Sequence, residues 1–164
     1  MITLHSIAVR VYYEDTDAGG IVYYANYLKF FERARTDWLR QAGVSHQELS
    51  QVEGLNLVVR DCAVQYLRPA RLDDLLTIEV GVADVADIGR ASLRFAQRAL
   101  LTPPAGSTAA PVVLATGSVR VACMDRRTGR PVALPQRVMR MISASVSSQQ
   151  IYSRVTPDGT AEQQ

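Results

Sequence analysis

VYYEDTDAGGIVYYANYLKFFERARTDWLRQA, residues 11–42, is the stretch whose reading decides the fold. It opens on Glu14, Asp15, Thr16 and Asp17, passes through Gly19 and Gly20, and continues into the longest amphipathic segment of the chain. Asp, Thr and a Gly pair are turn and cap chemistry, so the chain must leave any preceding strand there. From Tyr24 onward the apolar residues fall at Tyr24, Tyr27, Leu28, Phe31, Ala34, Trp38, Leu39 and Ala42, mostly three or four apart. That period predicts a helix over 24–42 with one buried face. Gly43 stands where a left-handed residue ends a helix. A helix of that size is roughly 28 Å long, enough to cross a sheet.

Strands surround it. Residues 4–13 form one before the turn, and after Gly54 come 55–67, 75–83, 90–101 and 112–124. Several alternate cleanly: Leu76, Ile78, Val80 and Val82 oppose Thr77 and Glu79, and Val119, Val121 and Cys123 oppose Ser118 and Arg120. Ser45 and Glu48 occupy the two positions of a capping box around His46, a surface residue on this reading. The loop 102–111 is rich in Pro, Gly and Ala, and 134–142 is a short closing helix. The composition turns polar from Ser143, so residues 144–164 are expected as a disordered tail after one domain over 1–143. Short links favour antiparallel strands, and a sheet with one apolar face needs a cover. The 24–42 helix is the element long and apolar enough to supply it. The expected class is α+β: a five-stranded antiparallel sheet wrapped around one long central helix. Its open edges favour a homodimer or homotetramer.

Composition narrows the function. No basic run leads into an apolar segment, and no stretch of ~18 apolar residues exists, so neither a secretion signal nor a membrane span is expected and the location is read as cytoplasmic. Cys62 and Cys123 are isolated and read as small core residues. No metal-ligand spacing, phosphate loop or GxSxG elbow is present, and no metal, cofactor or nucleic acid is called for. Residues 1–89 carry eight basic and thirteen acidic side chains, whereas 90–140 carry nine arginines and only Asp125. That basic excess suits either a solvated face or a phosphorylated ligand or acidic partner.

Two readings fit the acidic turn. It caps the helix and favours its positive end, or it presents a carboxylate to a substrate. Asp17 lies seven residues before the first periodic position, which is far for capping. In the second reading Asp17 faces an acyl carbonyl whose oxygen is polarised by amides near Tyr23 and Tyr24, and it acts as nucleophile or as general base on water.

The string Asp15-x-Asp17-x-x-Gly20-Ile21-Val22-Tyr23-x-x-Asn26-Tyr27, with QYLRPARLDDLLTIEV, GRASLRFAQRAL and ATGSVRVACMD further on, resembles the 4-hydroxybenzoyl-CoA thioesterase family of hotdog-fold proteins. Within it the chain is most similar to the Tol–Pal-associated acyl-CoA thioesterases, over about residues 8–136. The resemblance implies a hotdog fold and an acyl thioester of coenzyme A or acyl carrier protein as substrate. It places the catalytic carboxylate on Asp17, the oxyanion amide on Tyr24 and the neighbouring motif tyrosine on Tyr13. Gly20, Asn26 and Val59 are assigned to the substrate site. Arg68, Arg90, Arg126 and Arg127 are candidates for the nucleotide phosphates, and because sites in hotdog families form between subunits, they are read as able to serve the Asp17 site of a second subunit. Tyr24 stands where the Tol–Pal branch usually has histidine, which leaves the backbone amide but removes a side-chain acid or base. Two alternatives accompany this reading. A hotdog dehydratase needs a histidine at the helix, and neither His5 nor His46 is placed for it. A non-catalytic acyl-binding or scaffolding subunit of the envelope complex, with peripheral membrane contact, needs no turnover.

Overall fold

The computed structural model describes residues 1–41, 43–104 and 106–155, with side chains through Val146. Five strands, β1 (Ile2–Arg10), β2 (Leu55–Tyr66), β3 (Leu75–Val82), β4 (Ser92–Leu101) and β5 (Val112–Asp125), form one antiparallel sheet in the order β1-β3-β4-β5-β2. Helix α1 (Asn26–Gln41) packs against β1, β3 and β4, and α2 (His46–Gln51) and α3 (Gln136–Val155) are the remaining helices. This is the hotdog arrangement.

The helix period survives with a shifted face. Tyr27, Phe30, Phe31, Ala34, Trp38 and Leu39 are buried, whereas Tyr24 and Leu28 are exposed and Phe30 joins the core unannounced. α1 begins at Asn26, because Tyr24 and Ala25 form the turn that enters it. Its far end closes as expected: Gly43 has φ +66°, its N–H donates to the Arg40 carbonyl, and the Val44 N–H donates to that of Leu39. Ala42 lies outside the described residues. Ser45 Oγ accepts the Glu48 N–H at 3.0 Å, which starts α2.

Strand alternation delivers the opposing wall. Leu76, Ile78, Val80 and Val82 from β3, Leu93 and Phe95 from β4, and Val119, Val121 and Cys123 from β5 point inward and are buried. Each large side chain removed from water contributes ~1.5–3 kcal/mol, so α1 is held by packing far more than by its exposed ion pair Arg40–Asp37. Trp38 and Phe95 meet edge to face with centroids 5.4 Å apart, which ties α1 to β4. At Gly117 of β5 an added Cβ would lie 2.7 Å from Phe31 Cε2, so the bare backbone is what admits the ring.

β2 and β3 follow one another in sequence but are not neighbours; the link 67–74 carries the chain from the β2 edge across to β3. The readings of Cys62 and of the closing helix are corrected. Cys62 is exposed because β2 is an edge strand, and only Cys123 is buried. His5 is half-buried in β1, and its Nε2 has no partner among the described residues. The closing helix does not stop at Ile142, because Val138, Ile142 and Val146 extend one buried stripe at a spacing of four. α3 therefore runs through Val155, past the start of the expected tail; residues 156–164 lie outside the described residues. Among the described residues no helix is long and apolar enough to cross a membrane.

Candidate active site

The acidic turn separates into a buried acid and an exposed one. Asp15 is buried, and its carboxylate accepts the Tyr12 N–H at 2.9 Å. Its carbonyl accepts the Tyr23 N–H at 2.8 Å and the buried Asn26 Nδ2–H at 2.9 Å. Asp15 is therefore the internal pin of the loop, and Asn26 is the first helical residue that fastens it. Asn26→Ala would leave part of the Asp15 carbonyl without a donor in a buried place, and the expected cost is about 1–3 kcal/mol of stability, read by urea unfolding.

Asp17 projects outward from the same loop. Its Oδ1 accepts the Gly19 N–H at 2.8 Å, and among the described residues no donor faces its Oδ2. The Asp17 N–H donates to the Ile21 carbonyl, and its carbonyl accepts the Gly20 N–H, closing a tight reversal. Gly20 takes φ +70°, which a side chain would strain, and a Cβ on Gly19 would press to 3.0 Å from Asp17 Oδ1. The two glycines thus set the position of one carboxylate.

The link 67–74 buttresses the loop from below. The Val22 N–H donates to the Ala70 carbonyl, Ile21 pairs with Arg71, and the Tyr27 hydroxyl accepts the buried Ala70 N–H at 3.2 Å. Burial is the main reason the Tyr27 phenol is held above its ordinary range. Tyr66, at the end of β2, donates its hydroxyl to the Tyr24 carbonyl at 3.0 Å. The Tyr24 N–H, at the entry to α1, meets no carbonyl of the described residues and remains available to a ligand. Rings of Tyr23, Tyr24, Tyr66 and Tyr27 form a continuous aromatic row, with centroid separations of 4.6, 6.2 and 5.6 Å. The Tyr23 phenol is raised first by its hydrogen bond to Tyr24 and, more weakly, by the Asp17 charge. Beside this row, Tyr24, Tyr27, Tyr66, Leu67 and Arg68 line an apolar cleft of about 370 Å³.

Asp17, Gly20, Tyr24, Asn26 and Arg68 therefore share one end of the sheet. Tyr13 lies on the same loop, in a short 3-10 turn, and is 82% exposed. Val59 is 56% exposed, midway along β2. Arg90, Arg126 and Arg127 sit at the other end. Leu55 pairs with Asp125 there, whereas Tyr66 pairs with Ala115, so these arginines and Tyr66 are separated by the length of β2, roughly 35 Å. There Arg126 donates to the Ser50 carbonyl, the Arg90 carbonyl accepts the Leu134 N–H, and the Arg127 N–H donates to Asp125. One chain does not bring them to its own Asp17.

The basic excess of 90–140 is partly cancelled by folding. Arg94 and Arg120 meet Asp61, Arg98 meets Glu79, and Arg137 meets Glu53. Tyr66 and the Ala70–Arg71 backbone were missed as site components. Tyr66 reads as an ordinary strand aromatic, and nothing in local sequence tells that the link 67–74 passes beneath Asp17. Among the described residues no group of three or more His, Cys, Asp or Glu is placed to hold a metal ion.

Comparison with known proteins gives the family and the fold. The Thioesterase-like superfamily matches residues 11–142. The chain is 43% identical over 133 residues to "Acyl-CoA thioesterase YbgC" of Haemophilus influenzae, covering 81% of this chain and 90% of that protein. It is 42% identical over 137 residues to "Acyl-CoA thioester hydrolase YbgC" of Escherichia coli O6:H1, covering 84% and 94%. Among solved structures, a probable thioesterase from Bartonella henselae superposes with TM-score 0.64 at 34% identity, covering 82% of this chain and all of that one. A 4-hydroxybenzoyl CoA thioesterase superposes with TM-score 0.73 at 18% identity, covering 84% and 96%, a likeness of fold.

Proposed function

From the premise that this chain belongs to the Thioesterase-like superfamily, we propose that it is an enzyme hydrolysing acyl-CoA to a free acid and a thiol at the Asp17 loop. The observation that carries this reading is the pairing of an outward carboxylate with an unfilled helix-entry amide. A thioester placed between them has its oxygen at the Tyr24 N–H and its carbon within reach of a water held by Asp17 Oδ2. Water attacks the carbonyl carbon while Asp17 takes its proton. The amide and the positive end of α1 stabilise the oxyanion that forms. Collapse of that intermediate breaks the C–S bond, and the thiolate leaves and is protonated. Tyr66 holds the Tyr24 carbonyl, on the peptide unit that follows the amide, and so restrains the residue whose N–H faces the thioester. We assign Tyr13, on the adjoining turn, to the neighbourhood of the carboxylate, and Arg68, which lines the cleft, to the thiol's phosphates.

Asp17 and Tyr24 are exposed in the single chain, and a water-excluded site needs a cover. β2 is an edge strand carrying exposed Val59 and Tyr66, with exposed Leu67 just after it, an apolar strip suited to a second copy. We assign it to a homodimer contact. Such a pairing gives Arg90, Arg126 and Arg127 a route to the other subunit's Asp17. The test is a panel of short, long and aromatic acyl-CoA and acyl carrier protein thioesters, followed by release of free thiol. The expected outcome is turnover on at least one acyl-CoA. Absence of turnover across the panel would overturn the enzyme reading in favour of an acyl-binding subunit.

A further inference from the structure

The apolar cleft beside Tyr24 holds one polar group that the bonds within the chain leave half used. Three of the side chains lining it are phenols: Tyr24, Tyr27 and Tyr66. The Tyr66 hydroxyl donates to the Tyr24 carbonyl, and the Tyr24 hydroxyl is engaged with Tyr23. The Tyr27 hydroxyl accepts the Ala70 N–H at 3.2 Å, and its own proton meets no acceptor among the described residues. Tyr27 is only 3% exposed, so bulk water does not satisfy that proton. A buried donor without a partner is costly, and such a group in a native fold calls for a reason. Burial also holds the phenol above its ordinary range, so at neutral pH it stays protonated and able to donate.

The bond from Ala70 fixes where this hydroxyl stands. The Tyr66 ring lies between the other two, 6.2 Å from the Tyr24 ring and 5.6 Å from that of Tyr27. On the far side, Arg68 and Pro69 precede Ala70 and line the same cleft, and roughly 7 Å of backbone at most separates Ala70 from Arg68. A ligand reaching from the Tyr24 N–H to the Arg68 guanidinium therefore passes the Tyr27 hydroxyl. Ile21, Val22 and Leu67 supply apolar walls along the way. The ligand that fits is a slender chain with an acceptor partway along it and an anionic far end. The thiol arm of coenzyme A has this form: an ethylene unit separates its sulfur from an amide, and its far end carries phosphates.

We propose that Tyr27 is a specificity-determining residue for the thiol arm, its hydroxyl donating to the amide carbonyl nearest the sulfur. This rests on the reading of the cleft as the path from the thioester to Arg68. A site that holds out a buried donor discriminates against a ligand lacking the acceptor, because the donor then stays unpaired. The same hydroxyl accepts from Ala70, so recognition of the arm is tied to the link that supports the Asp17 loop.

Titration calorimetry on the full chain tests this with two probes. One is coenzyme A, and the other is adenosine 3′,5′-bisphosphate, which has the nucleotide end and no thiol arm. The wild-type protein is expected to bind coenzyme A at least about tenfold more tightly than the bisphosphate. Tyr27→Phe keeps the ring and removes the hydroxyl; it is expected to weaken coenzyme A about tenfold and to leave the bisphosphate unchanged. A hydroxyl that only braces Ala70 would lower both affinities together or neither. These measurements need no turnover, so loss of the hydrolase reading in the acyl-CoA panel is told apart from failure of this proposal. Equal wild-type affinity for the two probes, no binding of coenzyme A, parallel weakening of both in Tyr27→Phe, or unchanged coenzyme A binding in that variant would each overturn it. Should Tyr27→Phe not fold, the wild-type comparison decides alone.

Discussion

Asp17→Asn is expected to lower kcat for thioester hydrolysis by about 10²–10⁴-fold while leaving the unfolding midpoint nearly unchanged. The asymmetry comes from the loop. The contact that positions the side chain is made by Oδ1, which accepts the Gly19 N–H, and an asparagine carbonyl accepts that bond equally well. The oxygen lost is Oδ2, which meets no donor among the described residues and so contributes little to folding. What disappears is a base able to take a proton from water. Substrate binding rests on the Tyr24 amide and the aromatic cleft, so KM should move far less than kcat. Single turnover in ¹⁸O-water adds a second reading. Label arriving in the released acid and absent from Asp17 supports water as the attacking group, whereas label in Asp17 would make the carboxylate the nucleophile. An Asp17→Asn protein with near-normal turnover would remove Asp17 from the chemistry altogether.

Phe31→Ala carries the largest expected effect on stability, about 3–5 kcal/mol. Phe31 is fully buried at the middle of α1 and packs against the backbone of β5 at Gly117. Removing the ring empties the place where helix meets sheet, and the bare Gly117 has no side chain to fill it. Gly117→Ala alone drives a methyl group to within 2.7 Å of Cε2 and should cost about 1–3 kcal/mol by overpacking. The two are not independent. In the double variant the added methyl no longer meets a ring, so its penalty should vanish, and the double variant should be no less stable than Phe31→Ala. Urea unfolding of the four proteins measures that coupling, and simple additivity would show that ring and glycine do not share a contact.

How much of this was legible beforehand differs from element to element. The helix was legible because a period of 3.6 over many residues is a redundant signal; losing Tyr24 and Leu28 from the face and gaining Phe30 rotated it without erasing it. The strands were legible for the same reason. Strand neighbours were not, because β2 and β3 are joined by a short link yet lie apart in the sheet. The separation of Asp15 from Asp17 was legible through the resemblance alone. Their side chains are identical, and what distinguishes them is that Asp15 lies beneath the loop with Tyr12, Tyr23 and Asn26 bonded to it, while Asp17 faces out. The arginines show the limit of counting charge along the chain. Four of the nine in 90–140 are met by acids from the first half of the sequence, and Arg90, Arg126 and Arg127 stand at the far end of the sheet from Asp17.

The sequence by itself determined the elements, the buried periodicities, the reversal at Gly19 and Gly20, and the acidic string that carries the family motif, because each depends on residues close together in the chain. Only the tertiary structure decided which acid is a pin and which is presented. It alone showed that Tyr66 holds the Tyr24 carbonyl and that the link 67–74 bonds to Val22 and Tyr27 beneath the loop. Those relations join residues dozens of positions apart. Burial and the hydrogen bonds that it demands are set by the whole packed sheet and helix, and no local pattern encodes them.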